Sequence, residues 1–498
     1  MNAGGTAADA VIAANAVLGV VLPSTCGIGG DLFAMVHRPG MVQPEVLNAS
    51  GRGGSGLSAA KLRDAGYTQM PSFGPPTVSV PGCVDGWVAL QSRHGRFGLG
   101  EVLADAINLG RDGFEASGEL ANSLERLTGS LLGQPSADAL YPGGAPPAPG
   151  ATLFRRDLAS TLGEIADRGR TAFYEGSVAA AIAAATEGIL TVDDLAANTI
   201  DWVEPIGIDV FGLTGWTVPP NSQGYITLAA AWAFEHLSPP ADPLDPAFHH
   251  TLIEAYRAFA WERNDVVADP AHAPWNVAEY LTPERLERQV EGFSLDAVAA
   301  WPEPSPGPSG TAYFCAIDAE GMAVSCIQSN YSGIGSRVSA GDTGVFLQNR
   351  AAGFSVIEGH PNEAGPGKRP LHTLSPTLWT RGTDPALILG TRGGDQQPQY
   401  LVQVAASLLH AQNDPAPAQE QPRWSIATAA EGTDSVVLVE SGMAEHVVTG
   451  LVAAGHTVTP GPTLTPGWGP VSVIAIDAAG IRAAAADPRV PTATADGD

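Results

Sequence analysis

A threonine that directly follows a proline-rich segment is the residue of this 498-residue chain best placed to do chemistry. Four prolines within residues 301–310 exclude helix and central strand, and an apolar strand pattern begins at Thr311. Cleavage of the Gly310–Thr311 bond would place the Thr311 hydroxyl beside a free α-amine, whose pKa of about 7.7–8.0 lets it act as a base. The hydroxyl could make this cut itself, because glycine has no side chain to shield its carbonyl. Taken alone, however, a threonine at the start of a strand is ordinary.

The elements around this junction are predicted from hydrophobic periodicity. Residues 6–22 are alanine-rich and indicate a buried helix, which a glycine loop at 26–31 connects to a strand. Another long helix is predicted over 250–268. After the linker, strands at 311–317 and 322–329 flank a turn and form a β-hairpin. The GxGG loop suggests phosphate binding, but here a helix precedes the glycines and a strand follows them, which is the wrong order for a nucleotide site.

Composition restricts the partners and cofactors of the chain. The net charge is −27, from 52 acidic and 25 basic residues, and a field of this sign repels nucleic acid and anionic lipid. The four cysteines form no CxxC pair, and no His, Cys or Asp cluster has the spacing of metal ligands, so we expect no metal and no cofactor. No stretch is apolar enough to span a bilayer and the start lacks a basic signal region, so we expect a cytoplasmic protein without a membrane or nucleic-acid partner.

Several segments, in the same order along the chain, resemble the γ-glutamyltransferase (glutathione hydrolase) family. They are GGTAADAVIAANAVLGVVLPSTCGIGGDLF, VPGCVDGW, EAYRAFAWERNDVVADP, TAYFCAIDAEGMAVSCIQS, GKRPLHTLSPT, GTRGGDQQPQ, PRW and DPR. The resemblance spans nearly the whole chain. It implies an α+β fold, the four-layer αββα sandwich of N-terminal-nucleophile hydrolases. It also implies a precursor that splits into a large subunit, 1–310, and a small catalytic subunit, 311–498, which stay associated.

The resemblance assigns catalytic roles by position. Thr311 matches the threonine that processes the chain and then acts as the nucleophile. Gly393 and Gly394 match a glycine pair whose backbone N–H groups form the oxyanion hole, a role for which backbone without side chains is suited. Ser329 matches a threonine that steadies the nucleophile, with the hydroxyl retained.

The positions that would grip a glutamate substrate depart from the family pattern. The arginine for the α-carboxylate falls at about Ser50, with Arg52 nearby but out of register, and the aspartate for the α-amine falls at Gly353. The paired serines of the family fall on His372 and Thr373. Because a charge-assisted carboxylate pair contributes about 1.5–3 kcal/mol, loss of these anchors should weaken glutathione binding strongly.

Other arginines could replace the missing anchor, and Arg52, Arg337 and Arg392 are the candidates. The GGDQQPQ run, with Asn349 and Arg350 upstream, resembles the amidohydrolase-like branch of the family, which includes oxamate amidohydrolase-like proteins. We therefore expect an N-terminal-threonine amide hydrolase that acts on a γ-glutamyl-like or other small-molecule amide. The predicted substrate-binding residues are Arg52, His372, Thr373 and Arg392.

Two alternatives stay open at this point. The chain could be a glutathione hydrolase or γ-glutamyl transpeptidase proper, with glutamate anchors supplied from other positions. It could also remain uncleaved and serve as a non-catalytic binding protein. Cleavage and substrate preference distinguish the three hypotheses.

Overall fold

Helices are distributed along the whole chain in a computed structural model that describes residues 1–197, 200–300, 310–428 and 435–497. In chain order, the α-helices of this part are α1 (Ala7–Val21), α2 (Ala59–Asp64), α3 (Cys83–His94), α4 (Leu99–Val102), α5 (Ala104–Asp112), α6 (Gly118–Leu131), α7 (Arg156–Arg168), α8 (Arg170–Tyr174), α9 (Ser177–Ala185), α10 (Val192–Ala196), α11 (Tyr225–His236), α12 (Pro246–Ala260), α13 (Arg263–Val266), α14 (Pro283–Val290), α15 (Gln397–Ala405), α16 (Pro415–Glu420) and α17 (Glu445–Ala453). The predicted linker, apart from Gly310, lies outside the described residues.

Strands alternate with these helices and form two main sheets. In chain order they are β1 (Asp31–His37), β2 (Glu45–Ala49), β3 (Phe114–Glu115), β4 (Thr152–Leu153), β5 (Asp201–Val203), β6 (Ile206–Val210), β7 (Leu213–Thr217), β8 (Ala312–Ile317), β9 (Ala323–Ser329), β10 (Thr377–Arg381), β11 (Asp384–Thr391), β12 (Trp424–Thr428), β13 (Ser435–Glu440), β14 (Val458–Gly461), β15 (Val471–Ile476) and β16 (Arg482–Ala485). This mixture confirms the predicted α+β class.

The first compact unit combines Met1–Ala34, Val46–Val203 and Ser309–His372. Its main sheet has the strand order β5-β2-β1-β9-β8, and every residue of β1 and β9 is buried. The predicted hairpin is confirmed as the antiparallel pair β8–β9, with Ala312 opposite Gln328. The predicted first helix is confirmed as α1, which begins with a capping box because Thr6 and Asp9 satisfy each other's backbone N–H groups.

The second compact unit combines Met35–Glu45, Glu204–Pro308 and Thr373–Asp498. Its six-stranded sheet has the order β16-β15-β11-β10-β7-β6, and its neighbouring strands pair antiparallel. A separate three-stranded sheet has the order β12-β13-β14.

The single helix predicted over 250–268 is wrong, because the chain forms α12 and then the separate short helix α13. The break falls at Trp261 and Glu262. The buried Glu262 carboxylate accepts a hydrogen bond of 3.1 Å from the Tyr225 hydroxyl and pairs with Arg285. We attribute the break to this tertiary pairing, which periodicity does not report.

Each main sheet contains strands from both sides of the Gly310–Thr311 bond. In the first sheet β1 lies beside β9, and in the second β7 pairs with β10, with Thr217 opposite Thr377. A cut at that bond would therefore leave the two pieces joined by backbone hydrogen bonds in both sheets. Among the described residues, no helix is long and apolar enough to cross a membrane.

Candidate active site

The predicted nucleophile lies at the start of the central hairpin. Thr311 directly precedes β8 and is 2% exposed. Its hydroxyl donates to the Ser329 Oγ at 3.3 Å, and the Ser329 hydroxyl donates to the carbonyl oxygen of Gly310. The backbone N–H of Tyr331 also donates to the Ser329 Oγ, at 2.7 Å. Ser329, the last residue of β9, thus bonds both to the Thr311 hydroxyl and to the Gly310 carbonyl, which the Thr311 hydroxyl would attack.

Glycine at position 310 is required by the surrounding backbone. A Cβ on Gly310 would lie 2.6 Å from the backbone nitrogen of Gly333 and 2.7 Å from the carbonyl oxygen of Tyr331. Both atoms belong to main chain and have little freedom to move aside. The segment that follows β9 therefore confines the Gly310–Thr311 bond in one position.

The glycine loop, residues 26–31, packs against the end of β9. The Gln328 side chain accepts from the Gly27 N–H at 2.9 Å and donates to the Gly27 carbonyl at 2.7 Å. A Cβ on Gly30 would lie 2.3 Å from both the Ser329 carbonyl oxygen and the Asn330 Oδ1. Gly30 has no room for a side chain because the strand that ends in Ser329 approaches so closely, and a Cβ on Gly29 would lie 2.0 Å from the Phe346 carbonyl oxygen.

A buried carboxylate at the end of the glycine loop binds one of the predicted substrate residues. Asp31 and His372 are fully buried, with His372 Nε2 at 3.1 Å from Asp31 Oδ2. The other oxygen of Asp31 accepts from the Gly51 N–H and the Gln348 side chain, both at 2.9 Å. Burial, followed by the positive charge of Arg350, lowers the pKa of His372 to about 3. His372 is therefore a neutral imidazole that donates to Asp31 at physiological pH.

The early loop holds Arg52 in an ion pair with the protein. Its Nη2 lies 3.1 Å from Asp201 Oδ2 and its Nη1 donates to the Gly367 carbonyl at 3.1 Å. The arginine side chain is 35% exposed, so it remains within reach of solvent. Ser50, at the position where the resemblance places an arginine, is buried and donates to Asn48 at 2.7 Å. This position therefore carries no arginine, as predicted. The serine in its place has a small hydroxyl that is already bonded to Asn48.

In the second unit, the glycine turn, Gly393–Gly394, precedes a helical segment. Gly393 has φ +140° and Gly394 has φ +58°, conformations that side chains disfavour. A 3₁₀ turn over Gly394–Gln396 runs directly into α15, so the turn lies at the N-terminal, electropositive end of a helix. Within the described residues, neither glycine N–H donates to a backbone carbonyl. These two donors match the chemistry of an oxyanion hole.

A buried glutamine that sequence analysis missed fixes the glycine turn. Gln223 Nε2 donates to the Gly394 carbonyl at 3.1 Å and to the Thr373 carbonyl at 3.0 Å, while its Oε1 accepts from Arg263 at 3.1 Å. Arg263 in turn pairs with Asp395 at 3.1 Å. Thr373 is fully buried within this network. The signal in the sequence that could have identified Gln223 is the polar run 221–223, one residue before the apolar helix α11.

Two other predicted anchors are half-buried arginines. Arg392 is half-buried and directly precedes the glycine turn. Arg337 is half-buried in the first unit, and its guanidinium carbon lies 3.5 Å from the centre of the Phe73 ring. Sequence analysis also missed Asp31 and Gln348 as residues that position His372.

The whole chain is similar to known proteins. The gamma-glutamyltranspeptidase family model matches residues 1–496. The chain belongs to this family. It is 33% identical over 495 residues to the glutathione hydrolase-like YwrD proenzyme of Bacillus subtilis, covering 98% of this chain and 94% of the relative. It is 32% identical over 504 residues to the oxamate amidohydrolase proenzyme of Klebsiella pneumoniae, with the same two coverages of 98% and 94%.

A solved structure extends this similarity to the fold. The cephalosporin acylase of Bacillus halodurans superposes with a TM-score of 0.90 at 31% identity, covering 98% of this chain and 91% of the acylase. Members of the gamma-glutamyltranspeptidase family are proenzymes. They are cleaved into subunits that stay associated, and the mature enzymes act on amide bonds. The predicted class, a self-processed amide hydrolase with a terminal nucleophile, is thereby confirmed.

Proposed function

We propose that Thr311 cuts the Gly310–Thr311 bond and then serves as the nucleophile of an amide hydrolase composed of residues 1–310 and 311–498. The observation that carries this proposal is the position of the Ser329 hydroxyl. It accepts from the Thr311 hydroxyl at 3.3 Å and donates to the Gly310 carbonyl oxygen. A single side chain thus polarises the carbonyl and receives the proton of the attacking group.

The self-cleavage is an acyl shift followed by hydrolysis. The Thr311 oxygen adds to the Gly310 carbonyl carbon while its proton passes through Ser329 to the carbonyl oxygen. The C–N bond then breaks, and the Thr311 nitrogen takes a proton and becomes a free amine. Water hydrolyses the resulting ester, which releases the Gly310 carboxylate and restores the Thr311 hydroxyl. No reactant other than water is needed.

Turnover of substrate repeats this chemistry on an external amide. The free amine of Thr311 takes the hydroxyl proton and delivers it to the leaving amine, leaving an acyl ester on Thr311. We assign stabilisation of the oxyanion to the N–H groups of Gly393 and Gly394. Removal of one such donor typically lowers kcat about 10²- to 10³-fold. Water then releases the acyl group.

The proposed substrate is a small-molecule amide of the γ-glutamyl-like or simpler acyl type. Support for a simpler acyl group comes from the missing glutamate anchors, because Ser50 is bonded to Asn48 and Gly353 offers no carboxylate. The similar oxamate amidohydrolase and glutathione hydrolase-like proenzymes give two reference substrates to compare. The proposed substrate-binding residues are Arg52, His372, Thr373 and Arg392.

Substitution of Ser329 tests the mechanism. Ser329→Ala removes the two hydrogen bonds to the reacting groups, at about 1 kcal/mol each, as well as the bond from the Tyr331 N–H. From the first two we expect self-cleavage to slow about 30-fold, whereas Ser329→Thr retains the hydroxyl and should process. A matched control is Ser325→Ala on the same strand, where the hydroxyl bonds to Tyr313 at 2.8 Å. The readout is the time course of two bands on a denaturing gel. Processing of Ser329→Ala at the wild-type rate would contradict the assignment.

A substrate panel separates the hydrolase from the glutathione hydrolase alternative. Ammonia release from oxamate and p-nitroaniline release from γ-glutamyl-p-nitroanilide are measured on the processed protein. We expect hydrolysis of simple amides to exceed that of the γ-glutamyl compound. The reverse preference would identify a glutathione hydrolase proper whose glutamate anchors lie elsewhere.

A further inference from the structure

Arg337 and Phe73 form a stacked pair in the first unit, which we call the arginine shelf. The guanidinium carbon lies 3.5 Å from the centre of the Phe73 ring, and the phenylalanine is 37% exposed. The Nε of Arg337 is buried without a hydrogen-bond partner, and among the described residues its guanidinium makes no ion pair. By contrast, the half-buried Arg63 of the same unit pairs with Glu363 at 2.8 Å. The shelf therefore presents a cation that the described part of the protein does not neutralise.

The backbone at Arg337 has a conformation that an arginine rarely adopts. Its φ is +65°, in the left-handed region, like that of Gly335 two residues earlier. Hydrogen bonds on either side fix it, because Ser336 N–H donates to the Leu347 carbonyl at 2.8 Å and Leu347 N–H donates to the Val338 carbonyl at 2.9 Å. Strain of this kind persists where the surrounding structure imposes it, and it concentrates at functional sites. Glycine would adopt this conformation without strain, so the arginine side chain calls for a reason of its own.

Phe73 is held in place by the same region of the chain. The N–H of the next residue, Gly74, donates to the Ser336 carbonyl at 3.0 Å. The carbonyl of the preceding residue, Ser72, accepts from the Asn349 side chain at 2.9 Å. Both members of the shelf are thus fixed by hydrogen bonds to the main chain of their neighbours. A site that is fixed before its ligand arrives loses less conformational entropy on binding.

The Asn349 side chain also bonds to the segment that confines the scissile bond. Its Oδ1 accepts from the Ser332 N–H at 3.0 Å. A Cβ on Gly310 would lie 2.7 Å from the Tyr331 carbonyl oxygen and 2.6 Å from the Gly333 nitrogen, one residue to either side. One carboxamide therefore joins the shelf to the wall of the space around Gly310. The shelf arginine follows Gly333 by four residues, which span at most about 14 Å of chain.

Under the proposed mechanism, the amine part of a substrate binds where Gly310 lies in the precursor. The Gly310 carbonyl carbon is bonded to the Thr311 nitrogen, so this space adjoins the amine that the cut would free. That amine delivers a proton to the leaving nitrogen of the substrate, which requires the two nitrogens to lie about 3 Å apart. The leaving amine would therefore enter the space that Gly310 vacates, on the side of the shelf.

We propose that the arginine shelf binds a carboxylate on the amine part of the substrate. The substrate class is then the N-acyl amino acids and N-acyl aminobenzoates, whose leaving amine carries a negative charge. The sequence offered Arg337 as an anchor for a carboxylate of the acyl group, and we assign it instead to the opposite side of the scissile bond. This inference rests on the proposed hydrolase function and deepens it. For a half-buried cation, a charge-assisted bond corresponds to about a 10-fold preference, the lower end for such bonds.

The test compares two amides that differ in the charge of the amine part. 4-Acetamidobenzoate and 4-acetamidobenzamide have the same acyl group and nearly the same shape. Release of the aromatic amine is measured for processed wild type, Arg337→Gln, Arg337→Lys and Arg337→Gly, with processing on a denaturing gel as the check of folding. The matched control is Arg156→Gln. Arg156 also stacks on a phenylalanine that is 37% exposed, with its guanidinium carbon 4.4 Å from the centre of the Phe154 ring.

Wild type and Arg156→Gln should favour the benzoate about 10-fold in kcat/KM, mainly through KM. Arg337→Gln should bring the ratio close to one, and Arg337→Lys, which keeps the charge without the planar fork, should retain part of the preference. Arg337→Gly should lose the preference with a midpoint of thermal unfolding no lower than that of wild type, because glycine relaxes the left-handed backbone. A lowered midpoint in Arg337→Gly would indicate a structural arginine and contradict the proposal.

Direct binding supplies a measurement that needs neither turnover nor a variant. Purified wild type is titrated calorimetrically with 4-aminobenzoate and with 4-aminobenzamide, which are the two leaving amines. The benzoate should bind about 10-fold more tightly. Raising NaCl from about 0.05 M to about 0.5 M should reduce this difference, because salt screens a half-buried pair of charges.

Failure of this inference is distinguishable from failure of the proposed function. If cleaved wild type hydrolyses no amide, the proposed function fails, while the titration still decides whether the shelf binds a carboxylate. If wild type binds the two amines equally or hydrolyses the two acetamides equally, the inference alone is overturned. An Arg337→Gln protein that keeps the full preference would overturn it as well.

Discussion

Two glycine-rich segments of the molecule look alike in sequence, but each needs glycine for a different physical reason. In the glycine loop, a Cβ on Gly29 would lie 2.0 Å from the Phe346 carbonyl oxygen, and one on Gly30 would meet three atoms within 2.4 Å. In the glycine turn, the nearest atom to a Cβ on Gly393 is on the Tyr400 ring at 3.1 Å, and Gly394 has φ +58°. The loop needs glycine for close packing, whereas the turn needs it for a left-handed backbone that presents N–H groups.

The largest effect should follow substitution in the glycine loop. In Gly30→Ala the new methyl group clashes with the Ser329 carbonyl and with the side chains of Asn330 and Gln328. We expect a loss of more than about 3 kcal/mol in the free energy of unfolding, with little processed protein. The measurement is urea unfolding together with a denaturing gel.

Gly163→Ala is the matched control for that experiment. Gly163 lies within α7, and a Cβ there would have nothing within 4 Å. Alanine in a helix interior should stabilise the protein by about 0.5–1 kcal/mol. A Gly30→Ala protein as stable as wild type would remove the distinction between the loop and the turn.

Substitution in the glycine turn should affect catalysis more than folding. Alanine at Gly394 must adopt φ near +58°, which costs about 1–2 kcal/mol, and relaxation of this strain would rotate the N–H groups away from the oxyanion that we propose they bind. We expect Gly394→Ala to remain folded with kcat about 10²-fold lower and KM changed much less. Steady-state kinetics and thermal unfolding check this. An unchanged kcat would show that the turn is structural, like the loop.

Local patterns predicted the elements, and non-local pairings escaped prediction. The hairpin β8–β9 and the helix α1 were found because their periodicity and capping lie within a few residues of sequence. The Asp31–His372 bond joins residues 341 apart, and the Gln223–Gly394 bond joins residues 171 apart, so no sequence window contains either pair. The resemblance supplied Thr311 and the two glycines, but it could not supply partners that depend on how this chain packs.

The smallest effect, when taken over one pH unit, concerns the titration of His372 beside Asp31. The pKa of His372 is about 3 in the folded protein against an ordinary 6.5, mainly because the ring is buried. As pH falls below 6.5 the unfolded chain binds this proton first, so the free energy of unfolding falls by up to about 1.4 kcal/mol per pH unit until about pH 3.

His372→Gln isolates that contribution, because its amide can still donate to Asp31 while it no longer titrates. We expect a shallower dependence of stability on pH in the variant than in wild type between pH 6 and pH 4, measured by urea unfolding. Above pH 7 the two proteins should show parallel curves. Equal slopes at low pH would mean that His372 is protonated in the folded state.

Cleavage at one bond is the central claim, and the masses and N-terminal sequences of the purified chains test it most directly. Wild type should consist of two chains, the smaller beginning at Thr311, and Thr311→Ala should remain one intact chain without amidase activity. Thr311→Ser should still process, because it retains a hydroxyl. An intact wild-type chain that hydrolyses amides, or a Thr311→Ala protein that is cut at the same bond, would contradict the account.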